Sequence, residues 1–86
     1  MKVYFHSHFE KKFKKLDRTI KKKFQPGQEL FSANQFDQQL RNHALKGPLA
    51  GYRSISVTGD YRAIYKQLAE EVFEFDDIDT HDKLYS

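Results

Sequence analysis

Cysteine and tryptophan are both absent from this 86-residue chain, proline occurs twice and glycine four times. Without cysteine there can be no disulfide and no thiolate metal site, and a reducing cytosol is the expected home. No run of about 18 apolar residues occurs, so no segment reads as a membrane-spanning helix. The opening Met1-Lys2-Val3-Tyr4-Phe5-His6 has neither the apolar stretch nor the small-residue cleavage site of a signal peptide, and a cytoplasmic location is expected. Repeats, low-complexity tracts and linkers are missing too, which leaves one domain over residues 1–86. What is present is eight Phe and five Tyr within a composition 38% hydrophobic and 31% charged. That suffices for one modest core and is too aromatic for a disordered chain.

The net charge of +3 hides a steep gradient. Residues 1–23 hold nine Lys or Arg against two acids, and residues 68–86 hold one against seven. Such asymmetry suggests a basic surface that faces a polyanion, although lysines also coat solvated helix faces for solubility alone.

Period separates the chain into two halves. Val3-Tyr4-Phe5 is a short β-favouring run, and Ser7 with Glu10 three residues on has the form of a helix-capping box. Behind it Phe9, Phe13, Leu16, Ile20 and Phe24 form one apolar helical stripe. Asp17 offers a second cap that would divide this segment into a short helix and a longer one. Pro26-Gly27 is expected to interrupt the helix, which resumes over residues 28–40 with Leu30, Phe31, Phe36 and Leu40. After Gly47-Pro48 the period becomes alternating, and residues 52–58, 61–67 and 72–76 read as strands. Gly59-Asp60 and Ala69-Glu70-Glu71 are short connections, so the strands form an antiparallel meander. The expected fold is α+β, an N-terminal helical hairpin on one face of a small twisted antiparallel sheet whose other face stays open.

The polar residues of interest gather around this meander: His43, Arg53, Ser56, Asp60, Arg62, Tyr65, His81 and Tyr85. Alternation groups Arg53 with Ile55 and Val57, and Tyr52 with Ser54 and Ser56. Each His has a plainer reading as a cap or surface residue, and Arg53 and Arg62 as cross-strand partners of the acidic third strand. The combination nevertheless contains what metal-free RNA cleavage requires. A 2′-hydroxyl attacks the adjacent phosphate, a base takes its proton, an acid protonates the departing 5′-oxygen, and cations hold the crowded phosphorane. Imidazoles titrate near neutrality, guanidinium groups fit phosphate oxygens, and phenol rings stack on bases.

Other chemistries lack support. His6-x-His8 has no third metal ligand spaced with it, and no nucleophile elbow, Walker loop or dinucleotide fingerprint occurs. Asp76-Asp77-x-Asp79 lacks the Gly and closing Glu of a calcium loop and is expected to solvate a strand end. The basic amphipathic helix has the character of a membrane-surface helix, but its apolar stripe is more economically the cover of the sheet.

Four segments in order carry a resemblance: His43-Ala44-Leu45-Lys46-Gly47, Gly51-Tyr52-Arg53-Ser54, Gly59-Asp60-Tyr61-Arg62-Ala63-Ile64-Tyr65, and Asp79-Thr80-His81-Asp82-Lys83-Leu84-Tyr85. Together the chain resembles the RelE/ParE toxin superfamily, and within it the YafQ-like branch of bacterial toxin–antitoxin systems. The resemblance implies a ribosome-dependent, metal-independent endoribonuclease that cuts translated mRNA, uses no cofactor and is held inactive by a cognate antitoxin. It implies functional roles for His43, Asp60, His81 and Tyr85, with Arg62 as the superfamily's phosphate-binding Arg. Lys46, Arg53, Ser56 and Tyr61 are the candidate RNA contacts, and the helix-borne lysines would meet ribosomal RNA. One departure stands out: the YafQ-like pattern has a further His where this chain has Ser56. Relatives of the ParE kind inhibit DNA gyrase instead, which supplies the alternative of a toxin, or weakly catalytic relative, acting by protein binding.

Overall fold

The structure is a computed structural model that describes residues 1–85. Strand β1 (Lys2–Phe5) leads into α1 (Ser7–Lys14) and α2 (Arg18–Ala33). Strands β2 (His43–Ala44), β3 (Arg53–Ser56), β4 (Tyr61–Ala69) and β5 (Val72–Thr80) follow, and α3 (His81–Tyr85) closes the described chain. Single 3-10 turns at Gln38–Leu40 and Gly47–Leu49 flank β2.

The cap that starts α1 is His6, whose Nδ1 accepts from the His8 backbone N–H at 3.0 Å, so Ser7 is the first helical residue rather than the expected cap. Asp17 does divide the apolar stripe: its Oδ1 accepts from the Thr19 N–H at 2.7 Å and begins α2. The expected interruption at Pro26-Gly27 does not occur, since α2 runs through Pro26 to Ala33. A proline inside a helix removes one amide bond and costs about 3 kcal/mol. Burial opposes that cost here, because Phe24 and Phe31 lie seven residues apart on one stripe and both are buried on either side of Pro26. The helix then ends seven residues short of the expected Leu40. Asn34 Oδ1 accepts from the Phe36 N–H at 3.0 Å and Asp37 Oδ1 from the Gln39 N–H at 2.9 Å, side-chain bonds that replace the helical ladder.

The sheet order is β1-β5-β4-β3-β2. Strands β3 to β5 pair antiparallel as expected, while two strands outside the expected meander extend the sheet: β2 joins β3 antiparallel and β1 adds to the edge of β5 in parallel. Strand β5 continues past Asp76 to Thr80, so the acidic run lies within a strand rather than beyond its end. A bulge explains its pattern: Tyr65 pairs with Phe75 and Ile64 with Asp77, which leaves Asp76 as the extra residue. The bulge resets the alternation, and Phe73, Phe75 and Ile78 all reach the core despite their uneven spacing.

That core lies between the helices and one sheet face: Phe9, Phe24, Phe31, Leu40, Ile55, Ala63, Tyr65, Phe73, Phe75 and Ile78. Aromatic rings meet edge-on within it, Phe31 with Tyr65 at 4.8 Å and Phe24 with Phe75 at 5.8 Å. Such pairs add about 0.5–1.5 kcal/mol each beyond the area they bury. The opposite face is half covered rather than open. Leu49, Leu84 and Tyr52 line a groove of about 370 Å³ over Ile64, with His6, His8, Asp76 and Asp77 at its rim. No described helix is long and apolar enough to cross a membrane.

Candidate active site

Register places the polar residues of the second face in rows. His43 pairs with Ser54, Ser54 with Ile64, and Ile64 with Asp77, which makes one row across four strands. Ser56, Arg62 and Asp79 form the next row toward the β3–β4 turn. Beyond it Tyr61 pairs with Thr80, and the His81 N–H donates to the Asp60 carbonyl at 2.9 Å.

The turn that carries Asp60 is built by Thr58. Its Oγ1 accepts from the Asp60 N–H at 3.2 Å and from the Tyr61 N–H at 3.0 Å, a hydroxyl-closed turn ahead of Gly59. Arg62 locks the same turn, because its Nη1 donates to the carbonyls of Thr58, Gly59 and Tyr61 at 3.0–3.1 Å. One guanidinium nitrogen is therefore committed to the loop, and the planar fork is held at the sheet end. From the other side β5 delivers His81 as the first residue of α3, one turn ahead of Tyr85, and the two rings meet at 4.6 Å and 62°. Asp60 and Arg62 from the β3–β4 hairpin and His81 and Tyr85 from α3 thus come from two chain segments to one end of the sheet.

His43 does not join them. With strands about 4.8 Å apart and a rise of about 3.3 Å per residue, the row from His43 to β5 and the step on to His81 put their Cα atoms about 20 Å apart. The His43 Nδ1 lies 3.1 Å from the Arg41 carbonyl, which fixes its ring at the sheet edge. Lys46 and Tyr61 are also displaced from the cluster. Lys46 precedes the Gly47–Leu49 turn, and alternation places Tyr61 on the face of Ala63 rather than that of Arg62. Ser56 is the direct cross-strand partner of Arg62 and sits with it.

Arg53 belongs to the helix side. Its Nε donates to Asn42 Oδ1 at 2.7 Å, and its guanidinium lies over the Phe36 ring at 5.3 Å from the centroid. Asn42 Nδ2 in turn donates to the Tyr65 hydroxyl at 2.6 Å, and that hydroxyl donates to Gln35 Oε1 at 3.0 Å. Burial raises the Tyr65 pKa, opposed in part by the Asn42 bond and the Arg53 charge. Among the described residues neither Arg53 nor Arg62 forms an ion pair with β5, the plainer reading of both.

The acids of β5 have other partners. Lys12 of α1 bridges Asp77 at 2.7 Å and Asp79 at 2.9 Å, while Lys66 lies 3.6 Å from Asp76 and 3.7 Å from Glu74. Desolvation works to raise the Asp79 pKa, but the Lys12 ammonium and the Thr80 N–H outweigh it and hold the carboxyl below its usual value. Lys12 is raised for the matching reason, its two carboxylates overcoming desolvation. This clamp anchors the end of β5 two residues before His81. Among the described residues no group of three or more His, Cys, Asp or Glu is arranged to hold a metal ion.

The fold is thus a helical pair on one face of a five-stranded sheet, with Asp60, Arg62 and His81 placed at one sheet end. The structure is similar to the crystal structure of YafQ from E. coli strain BL21(DE3), with a TM-score of 0.81 and 23% identity over 98% of this chain and 97% of that one. It is similar as well to a YoeB/ParE toxin from Agrobacterium tumefaciens, with a TM-score of 0.77 and 20% identity over 94% of this chain and 99% of that one. The YafQ chain of the E. coli DinJ–YafQ complex matches with a TM-score of 0.72 and 23% identity, over 98% and 97% of the two chains. At these identities the likeness establishes the fold. No curated protein matches the sequence. The family of bacterial toxins of type II toxin–antitoxin systems, YafQ, matches residues 1–86, and the chain belongs to it.

Proposed function

We propose that this toxin is an endoribonuclease that cuts mRNA on the translating ribosome and is silenced by a cognate antitoxin. The observation that carries the reading is the junction of Asp60 and His81, where a 2.9 Å backbone bond brings the turn and α3 together beside the fixed guanidinium of Arg62. His81 transfers a proton, Asp60 orients it or serves as the second proton-transfer group, and Arg62 stabilises charge on the phosphorane. Tyr85, held against the His81 ring, stacks on or orients a base. Attack by the 2′-oxygen forms a 2′,3′-cyclic phosphate as the P–O5′ bond breaks, and the departing 5′-oxygen takes up the acid's proton. His43, about 20 Å from His81 on strand spacing, serves a flanking nucleotide rather than the scissile one. The lysines of α1 and α2 supply a salt-sensitive attraction to ribosomal RNA.

Family membership supports the toxin role, and relatives solved with partners, DinJ–YafQ from E. coli and YoeB–YefM from Staphylococcus aureus, support an antitoxin. Primer extension on translated mRNA after induced expression tests the activity. Wild-type protein is expected to produce ribosome-associated cuts, and His81→Ala to lower them by about 10²–10⁴ while the fold survives. Undiminished cutting by His81→Ala would refute the role given to that residue.

Ser56 favours a second reading, a weakly catalytic toxin acting by protein binding, because a hydroxyl cannot exchange protons near neutrality where the family pattern has an imidazole. That reading expects growth arrest without mRNA cuts and indifference to His81→Ala.

A further inference from the structure

Between the Gln38–Leu40 turn and the β3–β4 turn lies a cleft of about 240 Å³, lined by Gln39, Arg41, Ser56, Thr58, Gly59 and Arg62 among others. Gln39 and Arg41 also line a wider, more open cleft of about 940 Å³ that carries Phe36. The two clefts thus adjoin at Gln39 and Arg41, one reaching the turn beside Asp60 and the other an aromatic ring. Phe36 is 59% exposed, unusual for a large apolar side chain on a chain this short of core. Its ring has Arg53 over it, so that face is taken and the ring is held in place.

Arg41, where the two clefts adjoin, has φ of 51°, in the left-handed region that Gly and Asn adopt readily and other residues rarely do. A non-glycine residue held there is a reason to look for function. The backbone there sets the direction in which the side chain leaves the turn. Among the described residues the Arg41 guanidinium, the Gln39 amide and the Ser56 hydroxyl have no hydrogen-bond or ion-pair partner. Arg62, across the narrower cleft, has Nη1 fixed to three carbonyls and its remaining N–H groups left for a ligand. One oxygen of the Asp37 carboxylate in the wider cleft accepts from the Gln39 N–H at 2.9 Å, so this negative charge sits beside the aromatic ring rather than in the narrower cleft. Two guanidinium groups and two neutral polar groups around a cleft of this size match the oxygens of one phosphodiester.

We propose that Arg41 holds the backbone phosphate of single-stranded RNA next to the scissile one, with Arg62 sharing its remaining N–H groups between the two phosphates, Gln39 and Ser56 completing the hydrogen bonds and Phe36 stacking a base further along. The assignment rests on the ribonuclease reading and extends it to the flanking nucleotides. Arg41 is here a substrate-binding residue, outside the proton-transfer machinery.

Titrating the full-length protein with an RNA tetranucleotide bearing 2′-O-methyl groups, which bind but cannot be cut, tests it by NMR. The Arg41 and Arg62 Nε–H resonances should move together and saturate. Arg41→Ala should weaken binding about tenfold and lower the salt slope by about one, while Arg41→Lys keeps the slope. Arg41→Gly removes the charge at a φ that glycine adopts without strain, and a melting temperature no lower than wild type would separate its loss of binding from a loss of fold. An Arg41 resonance that stays still at saturation, equal binding by Arg41→Ala, or no binding by the wild type at millimolar oligonucleotide would each overturn the subsite. The ribonuclease reading fails separately. Protein that binds through Arg41 and never cuts translated mRNA defeats that reading and leaves the subsite standing.

Discussion

On the helix side of the sheet Phe31, Tyr65, Phe73 and Phe75 are sealed from solvent, whereas on the other side His43, Ser56 and Arg62 stay within its reach. The two faces divide the labour of a very small domain. An 86-residue chain has little apolar surface to bury, and here the aromatic rings are concentrated against the helices. The opposite face packs only around Ser54 and Ile64, and toward the β3–β4 turn it can keep polar groups without internal partners. Stability and candidate chemistry then occupy different sides of the same strands, and substitutions should separate them.

The largest effect belongs to the packed side. Phe31 touches Tyr65, Phe73 and Phe75 with ring centroids 4.8–5.4 Å away. Phe31→Ala should lower stability by about 3–5 kcal/mol, enough to unfold much of a domain whose total is about 5–15 kcal/mol. Urea unfolding monitored by circular dichroism gives the number, and a loss below about 1 kcal/mol would mean the core is loose there. Next in size is Asn42, which joins Arg53, Tyr65 and the Gln35 carbonyl in one partly buried network. Asn42→Ala strands several of those groups at once and should cost about 1–3 kcal/mol. Tyr65→Phe removes only the hydroxyl and should cost less in the same unfolding assay.

The Lys12 clamp lies where the two sides meet and brings a pH signature. Asp79 has a lowered pKa, so its contribution is present above the ordinary carboxylate value of 3.8 and is lost as pH falls through the folded value. Lys12 has a raised pKa, so its contribution is present below 10.5 and is lost as pH climbs through the folded value. Glu74 runs opposite to Asp79: its bond to Asp76, then desolvation, raises it, which favours the fold in acid. Lys12→Met should therefore cost about 1 kcal/mol near neutrality, with the deficit shrinking both in acid and in strong base. Thermal melts across pH read this directly, and a deficit independent of pH would show that Lys12 acts by packing alone.

How much of this could be read from the chain depends on how local the cause is. The stripe from Phe9 to Phe24, the Asp17 cap and the face shared by Arg53, Ile55 and Val57 follow from spacing, and all are present. Pro26 misleads because its local penalty is visible in sequence while the burial of Phe24 and Phe31 that overrides it is not. The bulge at Asp76 likewise depends on pairing with β4, so Asp77 and Asp79 pass for solvated acids until Lys12 reaches them. The candidate site divides in the same way. Residue types in the four motifs point to His81, Asp60 and Arg62, but the junction of Asp60 with His81 and the distance of His43 are matters of register. Strand β2 is two residues long and carries no period at all. Thr58 had a local signal, a hydroxyl one residue before Gly59-Asp60, and Arg41 had none, since a left-handed backbone at Arg is set by the turn before it.

Ser56 gives the finest test of the division between faces, since it sits opposite Arg62 and faces away from the core. Ser56→His puts back the imidazole that the family pattern carries. Its effect on stability should stay within about 0.5 kcal/mol, because no packed group is displaced. Its effect on catalysis should be far larger. An imidazole beside a guanidinium is disfavoured in its charged form, so its pKa should fall and leave a neutral base at physiological pH. Cutting of ribosome-bound mRNA should then rise by at least about tenfold, with the basic side chain's ionisation appearing as a new acid limb below about pH 6.5. A variant that melts like wild type but cuts no faster would show that Ser56 lies off the path of the transferred proton. One that cuts faster yet loses several kcal/mol would break the separation itself, because the second face would then be contributing to the fold as well as to the chemistry.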